Sequence, residues 1–152
     1  MMNWKRTYVL ASSAALVLAL AACATAGSDE SAKTTVPIED LHCALPTNCV
    51  SSLGASGMRP LSFAGSGAEA MAQLRATLKS FPEATVQGMT ETTVVAVFTT
   101  PVGFRDTVEF RIDSTAHRID FRSRSGFGLY DFGKNRARMM AFSDRFTHQL
   151  AR

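Results

Sequence analysis

Two stretches in the second half of the chain alternate strictly between apolar and polar residues: Val108-Glu109-Phe110-Arg111-Ile112-Asp113 and Arg118-Ile119-Asp120-Phe121-Arg122-Ser123-Arg124. Successive side chains of a strand point to opposite faces, so a period of two describes a strand with one buried face. Joining the two through Ser114 to His117 sets Asp113 opposite Arg118, Arg111 opposite Asp120 and Glu109 opposite Arg122. The same register puts Ile112 beside Ile119 and Phe110 beside Phe121. Matched apolar pairs and opposite charges therefore coincide, each cross-strand pair being worth about 0.2–1 kcal/mol. The charged side of this hairpin is expected to be a solvated ion-pair face.

Upstream, Ser66-Gly67-Ala68-Glu69 has the spacing of a capping box and opens a run with Met71, Leu74, Leu78 and Phe81 at helical intervals, ended by Pro82. Leu61-Ser62-Phe63 before it is a short candidate edge strand. Thr85-Val86-Gln87 and Thr93 to Thr99 are rich in β-branched residues and predict a hairpin turning at Gly88, with the second strand central. From Asn135 to about Leu150, the residues Met139, Phe142, Phe146 and Leu150 fall on one side of a last helix. The order α-β-β-β-β-α, with an extra strand possible in front, predicts an α+β fold. It is a two-layer sandwich in which two helices pack on one face of an antiparallel sheet of four to five strands. Phe98, Phe110, Phe121, Phe142 and Phe146 are assigned to its core.

The first residues fit neither period. Lys5 and Arg6 precede an uncharged run from Tyr8 to Ala22, which is the layout of an export signal. That run is too short for a bilayer-spanning helix, which needs about twenty residues. It ends in Leu20-Ala21-Ala22-Cys23, which resembles the lipobox of bacterial lipoproteins, in which the cysteine thiol takes a diacylglycerol group before cleavage. Residues 1–22 are therefore expected to be a signal peptide, and Cys23 the lipidated first residue of a protein anchored on the periplasmic side of the cell envelope. Ala24 follows it, and a residue other than aspartate there favours the outer membrane. Residues 23–40 are small and polar and cannot bury enough surface to offset their ordering entropy, so they are expected to be a flexible tether. Residues 41–152 are left as one domain, with room for a single core.

Charge narrows the partners. The formal charge is +3, and without Lys5 and Arg6 fourteen basic residues face thirteen acidic ones. General affinity for nucleic acid is not expected at that balance. The charge is uneven, however: residues 105–152 carry ten basic and six acidic side chains. Cys43 and Cys49 remain beside Cys23, six apart around Pro46, and an oxidising compartment favours a local disulfide over two free thiols. A c-type haem would need Cys-x-x-Cys-His, which the sequence lacks. His42, His117 and His148 are scattered, so no metal or cofactor is expected.

Chemistry is best sought where the long hairpin opens. Extending its register sets Asp106 opposite Ser125 on the inward face, with Ser123 beside them, and leaves Arg105 and Arg124 on the outer face without obvious acidic partners. The glycine-rich stretch from Gly126 to Gly133 then leads into a helix whose first turn carries Lys134, Arg136 and Arg138. Positive charge at a helix N-terminus opposes the helix dipole, so a carboxylate such as Asp131 or Asp106, or a bound anion, is expected to compensate it. Two readings stay open. Asp106, Ser123, Ser125, Asp131, Asn135 and Arg136 form a structural network, or this end, with Arg105, Arg124 and Arg138, holds an anion or lipid headgroup. Catalysis has less support, since the sequence lacks a Gly-x-Ser-x-Gly elbow, a phosphate-cradling Gly-Lys loop and a His-Glu-x-x-His helix.

Four segments, in order, resemble the domain of unknown function 1499 family: Asn48-Cys49-Val50-Ser51-Ser52, Gly103 to Phe110, Arg122-Ser123-Arg124-Ser125, and Asp131-Phe132-Gly133-Lys134-Asn135-Arg136-Ala137-Arg138. The resemblance spans roughly residues 40–150. It departs at Thr107, where the pattern has a second aspartate, at Gly126, where it has arginine, and at Leu129, where the tyrosine is displaced to Tyr130. It implies an envelope- or organelle-associated domain and supplies no reaction or ligand. The function expected from the chain itself is a lipid-anchored, non-enzymatic module, attached to the membrane through Cys23, for an anionic or amphipathic envelope ligand. The alternative is an envelope hydrolase or transferase using Asp106 with Ser123 or Ser125.

Overall fold

The long hairpin forms with the register its alternation requires. The structure, a computed structural model, describes residues 40–54 and 56–150, with side chains as far as 148. The expected signal peptide, Cys23, the tether up to residue 39 and the side chain of Leu150 lie outside the described residues. Strands β5 (Arg105–Asp113) and β6 (Arg118–Ser125) pair antiparallel, with Asp106 opposite Ser125, Glu109 opposite Arg122, Phe110 opposite Phe121 and Asp113 opposite Arg118. Their apolar side chains bury Val108, Phe110, Ile112, Ile119 and Phe121 on one face.

Around this pair the sheet grows outward in both directions. β4 (Thr93–Thr99) lies beside β5, and β3 (Ala84–Met89) forms the far edge. On the other side β6 is flanked by two short strands, β1 (Cys49–Ser51) against residues 122–124 and β2 (Leu61–Ser62) against residues 118–119. The sheet has six strands, all paired antiparallel. β1 is the strand its three residues are too few to announce by alternation. Gly88 also differs from expectation, since it sits within β3 opposite Val95, next to a bulge at Gln87. The reversal falls instead at residues 90–92, where the Thr90 hydroxyl accepts from the backbone of Thr92 and Thr93.

Helix α1 (Gly67–Lys79) is opened by the expected capping box: the Ser66 hydroxyl accepts from the Glu69 N–H at 3.2 Å, and the Glu69 carboxylate accepts from the Ser66 N–H at 2.7 Å. Helix α2 spans Lys134–Leu150 and buries Met139, Phe142 and Phe146. Both helices share one core with the apolar face of the sheet, and the Phe142 ring lies 4.9 Å from Phe110 and 5.6 Å from Phe81. The fold is thus the α+β two-layer sandwich read from the sequence.

The opposite face of the sheet corrects one expectation. Glu109 is 5% and Asp120 1% exposed, so the charged side of the hairpin is not simply solvated. The segment leading into β1 crosses it: Leu41 packs on Val95, and the His42 carbonyl accepts from Arg122 at 3.0 Å. Buried carboxylates need partners. Glu109 has Arg122 at 2.6 Å and Arg124 at 3.7 Å, while Asp120 has Ser52 at 3.1 Å and Arg118 at 3.3 Å. Arg111 faces Asp120 in the ladder, but it is Arg118 that supplies the ion pair.

Candidate functional site

The polar residues singled out at the open end of the hairpin converge on Asn135, in the first turn of α2. Its side-chain carbonyl accepts from Ser123 at 2.6 Å and from Arg138 at 2.7 Å. Its amide faces the Asp131 carboxylate at 2.8 Å, the Asn48 carbonyl at 3.0 Å and the Ser125 hydroxyl at 3.1 Å. Arg138 reaches past it to the Asp106 carboxylate at 2.5 Å, and its guanidinium sits 5.1 Å above the Phe98 ring. Asp106, Ser123 and Asn135 are all buried. A charge removed from water is tolerable when paired and hydrogen-bonded, and Arg138 with Asp106 meets that condition.

The compensation expected at the start of α2 is internal. Asp131 accepts from the backbone N–H of Gly133 at 2.9 Å and of Asn135 at 2.8 Å, satisfying donors that a helix start leaves free. Partial burial pushes the Asp131 carboxyl up, but those two N–H groups and the Asn135 amide together hold it below the ordinary aspartate value of 3.8. The helix start is therefore already occupied by a carboxylate of the chain itself.

The four arginines assigned to a basic end are not gathered in one place. Arg138 lies inside the network, and Arg124 turns to Glu109 on the outer face. Arg136 donates to the Ser56 carbonyl and lies against the Met58 sulfur. Arg105 remains exposed at the start of β5. Of the helix-start cations, Lys134 is exposed and borders a groove with Asp106, Ser125 and Asp131 at its base.

That groove is what the sequence reading passed over. It has a volume of about 520 Å3 and runs between the turn at residues 100–104 and the loop at residues 126–133. Its rim is apolar and open to solvent: Phe127 is 82% and Phe132 85% exposed, Val102, Phe104 and Tyr130 are also exposed, and Leu129, outside the groove lining but in the same loop, is 78% exposed. Phe104 and Phe127 stack at 6.5 Å, and Tyr130 meets Phe132 edge-on at 5.0 Å. Exposed apolar residues scattered singly are ordinary on a protein surface, whereas a contiguous group of this kind marks an interaction site.

The rim loop is fastened to its neighbours by covalent and hydrogen-bonded contacts. Cys43 and Cys49 form a disulfide, with S–S 2.07 Å, closing a ring that contains Pro46, Thr47 and Asn48. Thr47 donates to the Leu129 carbonyl, Asn48 donates to the Gly128 carbonyl at 2.6 Å, and the Asp131 N–H donates to the Thr47 carbonyl at 3.1 Å. Gly126 bonds the Arg105 carbonyl at 3.0 Å, and an added Cβ there would lie 2.5 Å from that oxygen. Only glycine tolerates so close an approach. Phe132 has φ 55°, a left-handed conformation that is unusual for a bulky side chain and is retained where surrounding contacts hold it. The signal for the rim was a loop whose apolar residues Phe127, Leu129, Tyr130 and Phe132 fit neither a helical nor a strand period.

Among the described residues, no group of His, Cys, Asp and Glu is placed to hold a metal ion, and no helix is long and apolar enough to cross a membrane. Comparison with curated proteins and with solved structures finds no match. A family model does match, over residues 41–146, and its span takes in every strand, the whole of α1, the disulfide and the aromatic loop. The chain belongs to the family described as protein of unknown function (DUF1499).

Proposed function

We propose that this protein is a lipid-anchored cell-envelope domain, held by Cys23 on the periplasmic side of the outer membrane, that binds an anionic, amphipathic ligand without transforming it. The observation that carries the reading is the groove between residues 100–104 and 126–133, with an exposed aromatic rim and Lys134 at its edge. Binding sites for such ligands combine apolar walls with a few fixed polar groups, and the disulfide ring and the Asp131 cap hold these walls in place. The polar cluster beneath contributes rigidity, because most of its hydrogen-bonding capacity is spent within the chain.

The hydrolase or transferase reading has one observation on its side: Asp106 and Ser125 border the groove. Against it, the Asp106 carboxylate is engaged by Arg138, Ser123 is spent on Asn135, and no histidine lines the groove to act as base.

Native mass spectrometry of the full chain isolated from membranes, with lysophosphatidylglycerol added as the probe, tests the binding reading. A one-to-one adduct on a chain lipidated at Cys23 is expected, and it should disappear in Phe104→Ser/Phe127→Ser. No adduct on the unaltered chain, or an adduct that survives in the double variant, would overturn it.

A further inference from the structure

We infer that the rim of Phe127, Leu129 and Phe132 is a membrane-seating surface, and that its partner is the anionic face of a lipid bilayer. The inference rests on reading this end as the binding surface and goes on to name its occupant.

Three observations favour a bilayer over a protein. The first is composition: aromatic and aliphatic side chains project at the tip, with Tyr130 beside them. Aromatic rings with a polar atom or a cationic neighbour are the side chains that settle at the boundary between headgroups and acyl chains. The second is charge. Among the described residues, the exposed charges nearest the rim are the cations Arg105 and Lys134, with one exposed carboxylate, Glu83, beside Thr99, whereas Asp106 is buried against Arg138 and the half-buried Asp131 caps the helix start. A surface that presents cations around an apolar tip complements anionic lipid.

The third is the path of the chain. The first described residues lie on the outer face of the sheet, Leu41 against Val95 and the His42 carbonyl on Arg122, and the chain then passes the rim, where residues 47 and 48 are bonded to the carbonyls of its loop. Sixteen residues lie between Cys23 and Asp40, and a random coil of that length has an end-to-end distance of about 20–25 Å. A lipid on Cys23 would keep the domain, and with it the rim, within that distance of the membrane. The anchor then supplies residence, and the rim supplies orientation by fixing which end of the sheet faces the lipid. The left-handed backbone at Phe132 fits this role, because it directs an apolar ring outward at a local cost that burial within the fold does not offset.

Single-tryptophan reporters test the inference. Trp4, the chain's one tryptophan, lies in the segment expected to be cleaved before Cys23, so Phe127→Trp, Leu129→Trp and Phe132→Trp, each made with Trp4→Phe, supply the single tryptophan of the lipidated protein. Val86→Trp, on exposed strand β3 at the far edge of the sheet, is the control. The chains are reconstituted into vesicles of phosphatidylcholine with phosphatidylglycerol, part of it brominated in the upper acyl chain. Rim reporters are expected to shift to the blue and to be quenched several-fold more strongly than Val86→Trp, with the difference shrinking when phosphatidylglycerol is left out. Leu129→Trp guards against misfolding at the strained Phe132 position.

Rim reporters that quench no better than Val86→Trp would overturn the inference, even on a chain that binds lysophosphatidylglycerol in its groove. A partner protein that must be added before the rim reporters shift would overturn it too. Strong rim quenching with no lysophosphatidylglycerol adduct would support seating and sink the groove reading. The intact mass at Cys23 reports on the anchor separately.

Discussion

The ten phenylalanines divide into two populations with opposite surroundings. Phe98, Phe110, Phe121, Phe142 and Phe146 lie on strands or helices, Phe63 and Phe81 follow the ends of β2 and α1, and all seven are buried in the shared core. Phe104, Phe127 and Phe132 lie in loops at one end of the sheet, and all are exposed. Apolar area removed from water contributes about 25 cal/mol per Å2. The first group therefore works for folding, while the second contributes little until something covers it. The buried rings sit where periodic structure delivers them to a common face. The exposed rings sit in loops that are fastened by a disulfide ring, an aspartate cap and a glycine contact instead.

The contrast is broken or sharpened most forcefully by truncating one ring from each population. Phe121→Ala should lower the unfolding free energy by about 3–5 kcal/mol in a urea titration, since it opens a cavity in the packed layer. Phe127→Ala should leave stability within about 0.5 kcal/mol. Equal losses would mean that the rim is part of the core after all.

Arg138→Ala addresses the polar cluster that separates the two regions. It leaves the buried Asp106 carboxylate without its charge partner, and the expected loss is about 3 kcal/mol. A variant as stable as the parent would show that the pair contributes nothing to holding α2 on the sheet.

These two sites also show what could be read from the chain. The β5–β6 register was legible because alternation and opposite charges both pointed to one pairing, and the capping box at Ser66 because it is a four-residue local signal. The Asp106–Arg138 pair was not, since the partners are 32 residues apart and meet only when α2 docks. β1 is three residues long, below the length at which a period can be seen, and is placed by its ladder to β6 and the disulfide at Cys49. The rim was hidden for a related reason: loops have no periodicity, so nothing local says whether Phe127 and Phe132 turn inward or outward. Likewise, burial of Glu109 and Asp120 depends on a segment some 70 residues upstream folding across them.

Smaller perturbations act on the fastening of the rim. Cys43→Ser/Cys49→Ser should cost about 2 kcal/mol, with amide exchange rising first at residues 128–131, whose backbone is bonded to the ring. Exchange rising instead along β5 would place the disulfide's effect in the core. Asp131→Ala should cost about 1 kcal/mol by removing the acceptor at the start of α2. Because the Asp131 carboxyl is held below 3.8, its contribution is present above that pH and is lost as pH falls through the folded value. The gap in stability between Asp131→Ala and the parent should therefore close on acidification below about pH 4, and a gap that widens would reverse the sign argued here.

Phe132→Asn is the smallest change and has the opposite sign. Asparagine tolerates the left-handed backbone better than a bulky ring, so thermal unfolding should show a gain of up to about 1 kcal/mol. Lipid binding should fall in the same variant, a trade that no buried phenylalanine would show.

The division between a folding core and a binding rim is tested most directly by titrating lysophosphatidylglycerol into the full chain and into Phe127→Asp, with unfolding free energies measured on the same samples. Unchanged stability with binding lost is the expected result. Binding retained at parental affinity by a fully folded Phe127→Asp would contradict it.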